Sequence, residues 1–136
     1  MDRTLIIIKP DAIQRGLMGQ IISRFEAVGM AIVRIRLTTA SPQFMQRFYA
    51  EHRQMPHFDR LIDYMTSGPL CFIEMEGADA LKRARVLAGA TDPIEAAPGT
   101  IRGDLGLYLP RNALHTSDSP EAARSEIALV FDDGKA

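Results

Sequence analysis

Apolar and polar positions along the chain fall into short blocks that alternate between two periods. Thr4 to Lys9 is a β-branched run that predicts a buried strand, ended by Pro10. Leu17, Ile21, Ile22, Phe25 and Val28 then recur at helical spacing, with Gly29 placed to stop the helix. Residues 30 to 38 switch to period two. Val33, Ile35 and Leu37 alternate with Arg34 and Arg36, which predicts a strand with the aliphatic face buried and the arginine face polar. Ser41-Pro42 opens a helix whose apolar face carries Phe44, Met45 and Phe48. Pro56 interrupts, and a second short helix runs through Phe58, Leu61, Ile62 and Met65 to Gly68-Pro69. Leu70 to Glu76 reads as a third strand and Ala78 to Ala88 as a helix bearing Lys82, Arg83 and Arg85.

The period is lost between residues 89 and 113. Four glycines (Gly89, Gly99, Gly103, Gly106) and three prolines (Pro93, Pro98, Pro110) fall there, with Arg102 and Arg111 among them. A loop of that length in a compact domain usually serves function. A short strand, Ala113 to Thr116, leads into a last helix, Pro120 to Phe131, capped by Ser119 with Pro120 in its first position. The tail from Asp132 to Ala136 is expected to fray. The order β-α-β-(αα)-β-α-loop-β-α is an α/β (α+β) pattern. It is the ferredoxin-like split βαβ, with an antiparallel four-stranded sheet, an inserted helix pair and a long loop. A chain of 136 residues has room for one such domain, spanning 1 to 136.

Charge narrows the partners. Sixteen basic and 17 acidic residues leave a formal net charge of −1, which gives no general attraction to nucleic acid or to a membrane surface. No apolar run is long enough to span a bilayer, and Leu5 to Ile8 is too short for a secretion leader. The single cysteine, Cys71, lies in an apolar run and reads as a small buried hydrophobe. A cytoplasmic location is expected.

The familiar phosphate-binding signatures are missing: there is no Walker A loop, no dinucleotide fingerprint and no protein-kinase motif set. The three histidines, His52, His57 and His115, have no metal-ligand spacing. The informative segment is Asn112-Ala-Leu-His115-Thr-Ser-Asp, followed by a helix start. It sets an imidazole beside backbone N–H groups that attract anions. His115 is either a structural residue or a nucleophile. Glu126, on the helix that follows, is placed to reach back and fix one ring nitrogen. Lys9, Arg85 and Arg102, with the hydroxyl of Thr91, are the groups a polyphosphate needs if they converge. Asn112 is a turn residue or a ligand for a sugar hydroxyl. Spacing leaves these pairs of readings open.

Taken together, several stretches resemble the nucleoside diphosphate kinase family. They are Thr-Leu-Ile-Ile-Ile-Lys-Pro-Asp (4 to 11), Gly-Gln-Ile-Ile-Ser-Arg-Phe-Glu (19 to 26), Phe-Tyr-Ala-Glu-His (48 to 52) and Met-Thr-Ser-Gly-Pro (65 to 69). Gly-Ala-Thr-Asp-Pro (89 to 93), Pro-Gly-Thr-Ile-Arg-Gly-Asp (98 to 104) and Arg-Asn-Ala-Leu-His-Thr-Ser-Asp-Ser (111 to 119) complete the set. The resemblance implies a ping-pong transfer of the γ-phosphate of ATP or another nucleoside triphosphate to a nucleoside diphosphate. His115 is the implied phosphohistidine, oriented by Glu126. Lys9, Tyr49, Arg85, Thr91, Arg102 and Asn112 are implied to bind phosphates and ribose. Mg2+ is implied to arrive on the nucleotide rather than on a protein cage, and a homo-oligomer (hexamer, tetramer or dimer) is implied, with strand two or the first helix facing a neighbour. Three positions depart from the family pattern. His57 stands where a phenylalanine usually stacks on the base. Thr116 replaces a glycine or alanine beside the active histidine, and Pro110 replaces a common glycine. These departures predict an active enzyme with weaker nucleotide binding. The alternative they leave is a catalytically weak, nucleotide-binding or regulatory member.

Overall fold

A computed structural model describes residues 2 to 132. All of the tail expected to fray except Asp132 therefore lies outside the described residues. Its centre is β1 (Asp2–Ile8), hydrogen-bonded antiparallel to β3 (Leu70–Gly77) on one side and to β4 (Leu114–Thr116) on the other. β2 (Ala31–Thr38) adds to β3 and completes an antiparallel sheet of order β2-β3-β1-β4. This is the expected ferredoxin-like α/β arrangement with a four-stranded sheet.

β1 has to be apolar on both faces because both are covered. Leu5, Ile6, Ile7 and Ile8 are each 0% exposed. Successive strand side chains point to opposite faces. Ile6 and Ile8 therefore pack against α2 (Met18–Ala27) and α5 (Ala80–Ala88), through Ile21, Phe25 and the small ridge Ala80, Ala84 and Ala88. Leu5 and Ile7 pack on the other side against α3 (Pro42–Phe48), α4 (Phe58–Met65) and α7 (Pro120–Ile127), through Phe44, Met45, Ile62, Met65 and Ile127. Each such aliphatic side chain contributes about 1.5–3 kcal/mol by leaving water. Cys71 sits in this core as a free thiol, as expected.

The expected caps are present. Ser41 accepts from the Phe44 N–H and Ser119 from the Ala122 N–H. Gly29 follows the last turn of α2 at φ 87°, a conformation that disfavours a side chain.

Several expectations are corrected. First, the faces of β2 are reversed. Ile35 is 49% and Leu37 56% exposed. Arg34 is drawn inward by Glu74 (2.6 Å) and Asp132 (2.8 Å), and Arg36 by the Val130 carbonyl (3.3 Å). A bulge between Ile32 and Arg34 shifts the register, and a one-residue shift sends every side chain beyond it to the other face. Second, Pro10 does not only end β1; it is the first residue of a short helix, α1 (Pro10–Gln14). Third, the stretch 89 to 113 is not featureless, because Thr100 caps a helix, α6 (Ile101–Leu105). Fourth, α5 starts at Ala80, after Asp79 turns through φ 52°, and α7 passes after Ile127 into a π-helical segment, Ala128–Asp132. The last strand likewise begins at Leu114, because Ala113 sits at φ 75°.

Candidate active site

The exit of β1, the start of β4 and the first turns of α7 open onto one cleft of about 1170 Å³. All nine residues singled out from the sequence line it: Lys9, Tyr49, His57, Arg85, Thr91, Arg102, Asn112, His115 and Glu126. Thr116 and Pro110 line it too.

His115 pairs across from Ile7 on β4, which aims its ring at α7. Its Nε2 lies 3.0 Å from Glu126 Oε1, so the expected reach-back is present. A carboxylate oxygen only accepts, so in the neutral ring the proton sits on Nε2 and the Nδ1 lone pair is left over. Ser117 was not singled out from the sequence. Its hydroxyl donates to the same Glu126 oxygen at 2.7 Å and accepts from the Leu5 N–H at 3.3 Å. The available signal was the strand period, which puts residues 115 and 117 on one side of the chain. The His115 ring is also held edge-on by Phe48 (5.3 Å between centroids) and Tyr49 (6.2 Å).

Cations gather beside this ring. Lys9 is buried and donates to Asn112 Oδ1 at 2.8 Å. Burial, then the nearby Arg102 charge, draws its ammonium down from 10.5 to about 8, against a smaller opposing effect of Asp11. Burial, then Arg85, lowers the Arg102 guanidinium to about 10. Its Nη atoms donate to the carbonyls of Gly89 (2.9 Å) and Leu114 (2.7 Å), while its buried Nε has no partner. Asn112 passes the network on by donating to the Thr91 carbonyl at 2.9 Å. Burial first, and then Glu126, pushes the Tyr49 phenol well above its ordinary value, so it is a hydroxyl donor at neutral pH. Lys9, Arg85 and Arg102 make no ion pair with a carboxylate among the described residues. Such a cluster repels itself until an anion enters.

The chain matches the family model described as nucleoside diphosphate kinase over residues 2–136. It is 50% identical to the nucleoside diphosphate kinase of Archaeoglobus fulgidus over 133 residues, covering 98% of this chain and 88% of that protein. The chain belongs to the nucleoside diphosphate kinase family. The fold agrees. A structure of the Halobacterium salinarum nucleoside diphosphate kinase in complex with CDP superimposes with TM-score 0.94 at 45% identity, over 98% of this chain and 90% of that one. The Aquifex aeolicus nucleoside diphosphate kinase superimposes with TM-score 0.94 at 42% identity, over 98% and 97% of the two chains. As a member of the nucleoside diphosphate kinase family, the chain is a nucleotide-binding phosphotransferase that moves phosphate between nucleotides. The reading as a catalytically weak regulatory member is not favoured.

In this family member the position of Arg102 depends on Gly103. A Cβ at 103 would fall inside the Ala97 carbonyl, which is backbone and cannot swing away. Gly103→Ala is therefore expected to lose about 2–3 kcal/mol of stability by overpacking. Thermal unfolding of the two proteins side by side checks this.

Proposed function

We propose that the phosphate is carried on His115. In the first half-reaction Nδ1 attacks the γ-phosphorus of a nucleoside triphosphate. The P–Nδ1 bond forms, the bond to the β-γ bridging oxygen breaks, and the nucleoside diphosphate leaves with that electron pair. In the second half-reaction the terminal oxygen of another nucleoside diphosphate attacks the same phosphorus and returns the electron pair to Nδ1. The observation that carries this reading is the 3.0 Å Nε2–Glu126 contact inside a cleft that also holds Lys9, Arg85 and Arg102. Glu126 holds the tautomer and offsets positive charge on the ring, and Ser117 holds Glu126. Lys9, Arg85 and Arg102 bind the phosphates, Tyr49 and Thr91 offer hydroxyls to them, and Asn112 takes the ribose. Phosphoryl transfer is mostly positioning and charge stabilisation, which such a set supplies.

Mg2+ fits as an ion held by the nucleotide's phosphates and water. The described residues include no group of three His, Cys, Asp or Glu that would chelate it. When bound it spreads the negative charge of the phosphates. ATP and other nucleoside tri- and diphosphates are the small-molecule partners, held chiefly by sugar and phosphate, with His57 at the cleft wall available to stack on a base. Thr116 and Pro110 line the same cleft, and their bulk supports a nucleotide affinity below that of members with small residues there.

We place the chain in a homo-oligomer (dimer, tetramer or hexamer). The exposed Ile35 and Leu37 of the β2 edge are the surface a second copy would cover. Among the described residues no helix is long and apolar enough to cross a membrane. A cytoplasmic setting suits a nucleotide enzyme with a free, buried thiol.

Incubation with γ-labelled ATP tests the reaction. The protein is expected to take up an acid-labile, alkali-stable label that any nucleoside diphosphate discharges. Absence of label, or label that resists discharge, overturns the proposal.

A further inference from the structure

Next to the cleft, but not among the residues lining it, lies a buried carboxylate that the transfer itself does not use. Asp11 is 5% exposed and stands in the first turn of α1, two residues after Lys9. Its Oδ2 accepts from the Ala113 N–H at 3.2 Å. Its Oδ1 accepts from the Tyr64 hydroxyl in a short hydrogen bond, and the Tyr64 oxygen in turn accepts from the Asp11 N–H at 3.1 Å. Tyr64 is 9% exposed and comes from α4; the Arg111 guanidinium lies 5.5 Å from its ring centre.

The residue gripped by this arrangement is an unusual one. Ala113 sits at φ 75°, a left-handed conformation that residues with a Cβ rarely adopt. It is held from both sides, by Asp11 at its N–H and by the Lys9 N–H, which donates to its carbonyl at 2.9 Å. Asn112 precedes it and His115 follows two residues later. A relaxed backbone at 113 would therefore turn the Asn112 side chain away from Lys9 and tilt the start of β4, which carries His115.

We infer that Asp11, locked by Tyr64, is a positioning residue for the phosphotransfer: it imposes the left-handed turn at Ala113 that sets Asn112 and His115 in register with the cleft. Two acceptor oxygens are needed at once, one for Tyr64 and one for Ala113. An amide supplies one, and places an N–H donor where the second acceptor was. Burial disfavours the ionised form of Asp11, and the charge of Lys9 and the Ala113 N–H restore part of it, so the carboxylate is held by the groups it serves. The inference rests on the reading that His115 carries the phosphate.

The test is the rate of a single round of labelling at saturating γ-labelled ATP in Asp11→Asn and Tyr64→Phe, normalised to the folded fraction from circular dichroism. Nucleoside diphosphate affinity is measured on the same samples. Misplacing reacting groups by about 1 Å costs up to about a hundredfold in rate. Both variants are expected to label at least about tenfold more slowly even at saturating ATP, and to bind nucleoside diphosphate more weakly as Asn112 loses its place beside Lys9. Tyr64→Phe keeps the carboxylate and the ring, so it reports even where Asp11→Asn folds poorly. If the parent takes label and Tyr64→Phe takes it at the parental rate, the inference is overturned and the phosphohistidine reading stands. If the parent takes none, that reading fails and this inference with it.

Discussion

His115→Gln is expected to fold, to bind nucleoside diphosphate within about threefold of the parent, and to turn over at least about 10⁴-fold more slowly. Loss of a nucleophile in a machinery that acts as a unit costs that much or more. Glutamine is the informative replacement because its amide N–H can still donate to Glu126, which already accepts from Ser117. The carboxylate then keeps its partners, and the packing of Phe48 and Tyr49 loses only part of a ring. What disappears is the Nδ1 lone pair. Steady-state transfer from ATP to a second nucleoside diphosphate, with calorimetric binding on the same samples, separates the two effects. Residual turnover within tenfold of the parent would show that phosphorus moves directly between nucleotides and that His115 is not on its path.

Lys9→Met is expected to weaken nucleotide binding by about ten- to a hundredfold while leaving the free protein as stable as the parent or more so. A hydrogen bond from a charged donor to a phosphate is worth about 1.5–3 kcal/mol. In the free protein the same charge is a burden, because it is buried beside Arg102. The pH dependence has a definite sign. Lys9 releases its proton near pH 8 in the folded protein and near 10.5 when unfolded, so between those values the unfolded chain binds more protons and stability rises with pH. Cys71 acts oppositely. Burial raises its thiol from 9.0 to about 11, so above pH 9 the folded state is the more protonated at this group. The clean window is therefore about pH 8 to 9, where the parent should gain up to about 1.4 kcal/mol. Lys9→Met should lack that rise. Urea unfolding across the window checks it, and equal slopes in the two proteins would contradict a strongly lowered Lys9.

The sequence made the sheet legible where one strand had to be apolar throughout. Leu5 to Ile8 admits little but a buried strand, and Ser41-Pro42 and Ser119-Pro120 mark helix starts by their own hydrogen bonding. It misled at β2. Alternation shows that two faces differ, not which one is inward; a bulge turned the arginines in, where Glu74 holds Arg34 and the Val130 carbonyl holds Arg36. It was silent on α6, a helix of one and a half turns whose side chains are too few to show a period. The nine cleft residues are legible mainly because the family motifs name them, although spacing does not show that they converge. Ser117 and Asp11 are not, because what they do is hold other residues: Asp11 holds Ala113 across 102 positions, and Ser117, bonded to the Leu5 N–H across 112 positions, holds Glu126.

Those long spans bear on how the molecule comes into being. Lys9 meets Asn112 across 103 positions, Asp11 meets Ala113 across 102, and Leu5 meets Ser117 across 112. Such closures carry a large entropy cost and form late relative to local helices. As the polypeptide is made, β1 must wait with one edge unpaired until β4 emerges, and only then do the ring, its carboxylate and its cations share a space. Catalysis is therefore the last property this chain acquires, and recovery of activity marks the end of its folding rather than any stage along the way.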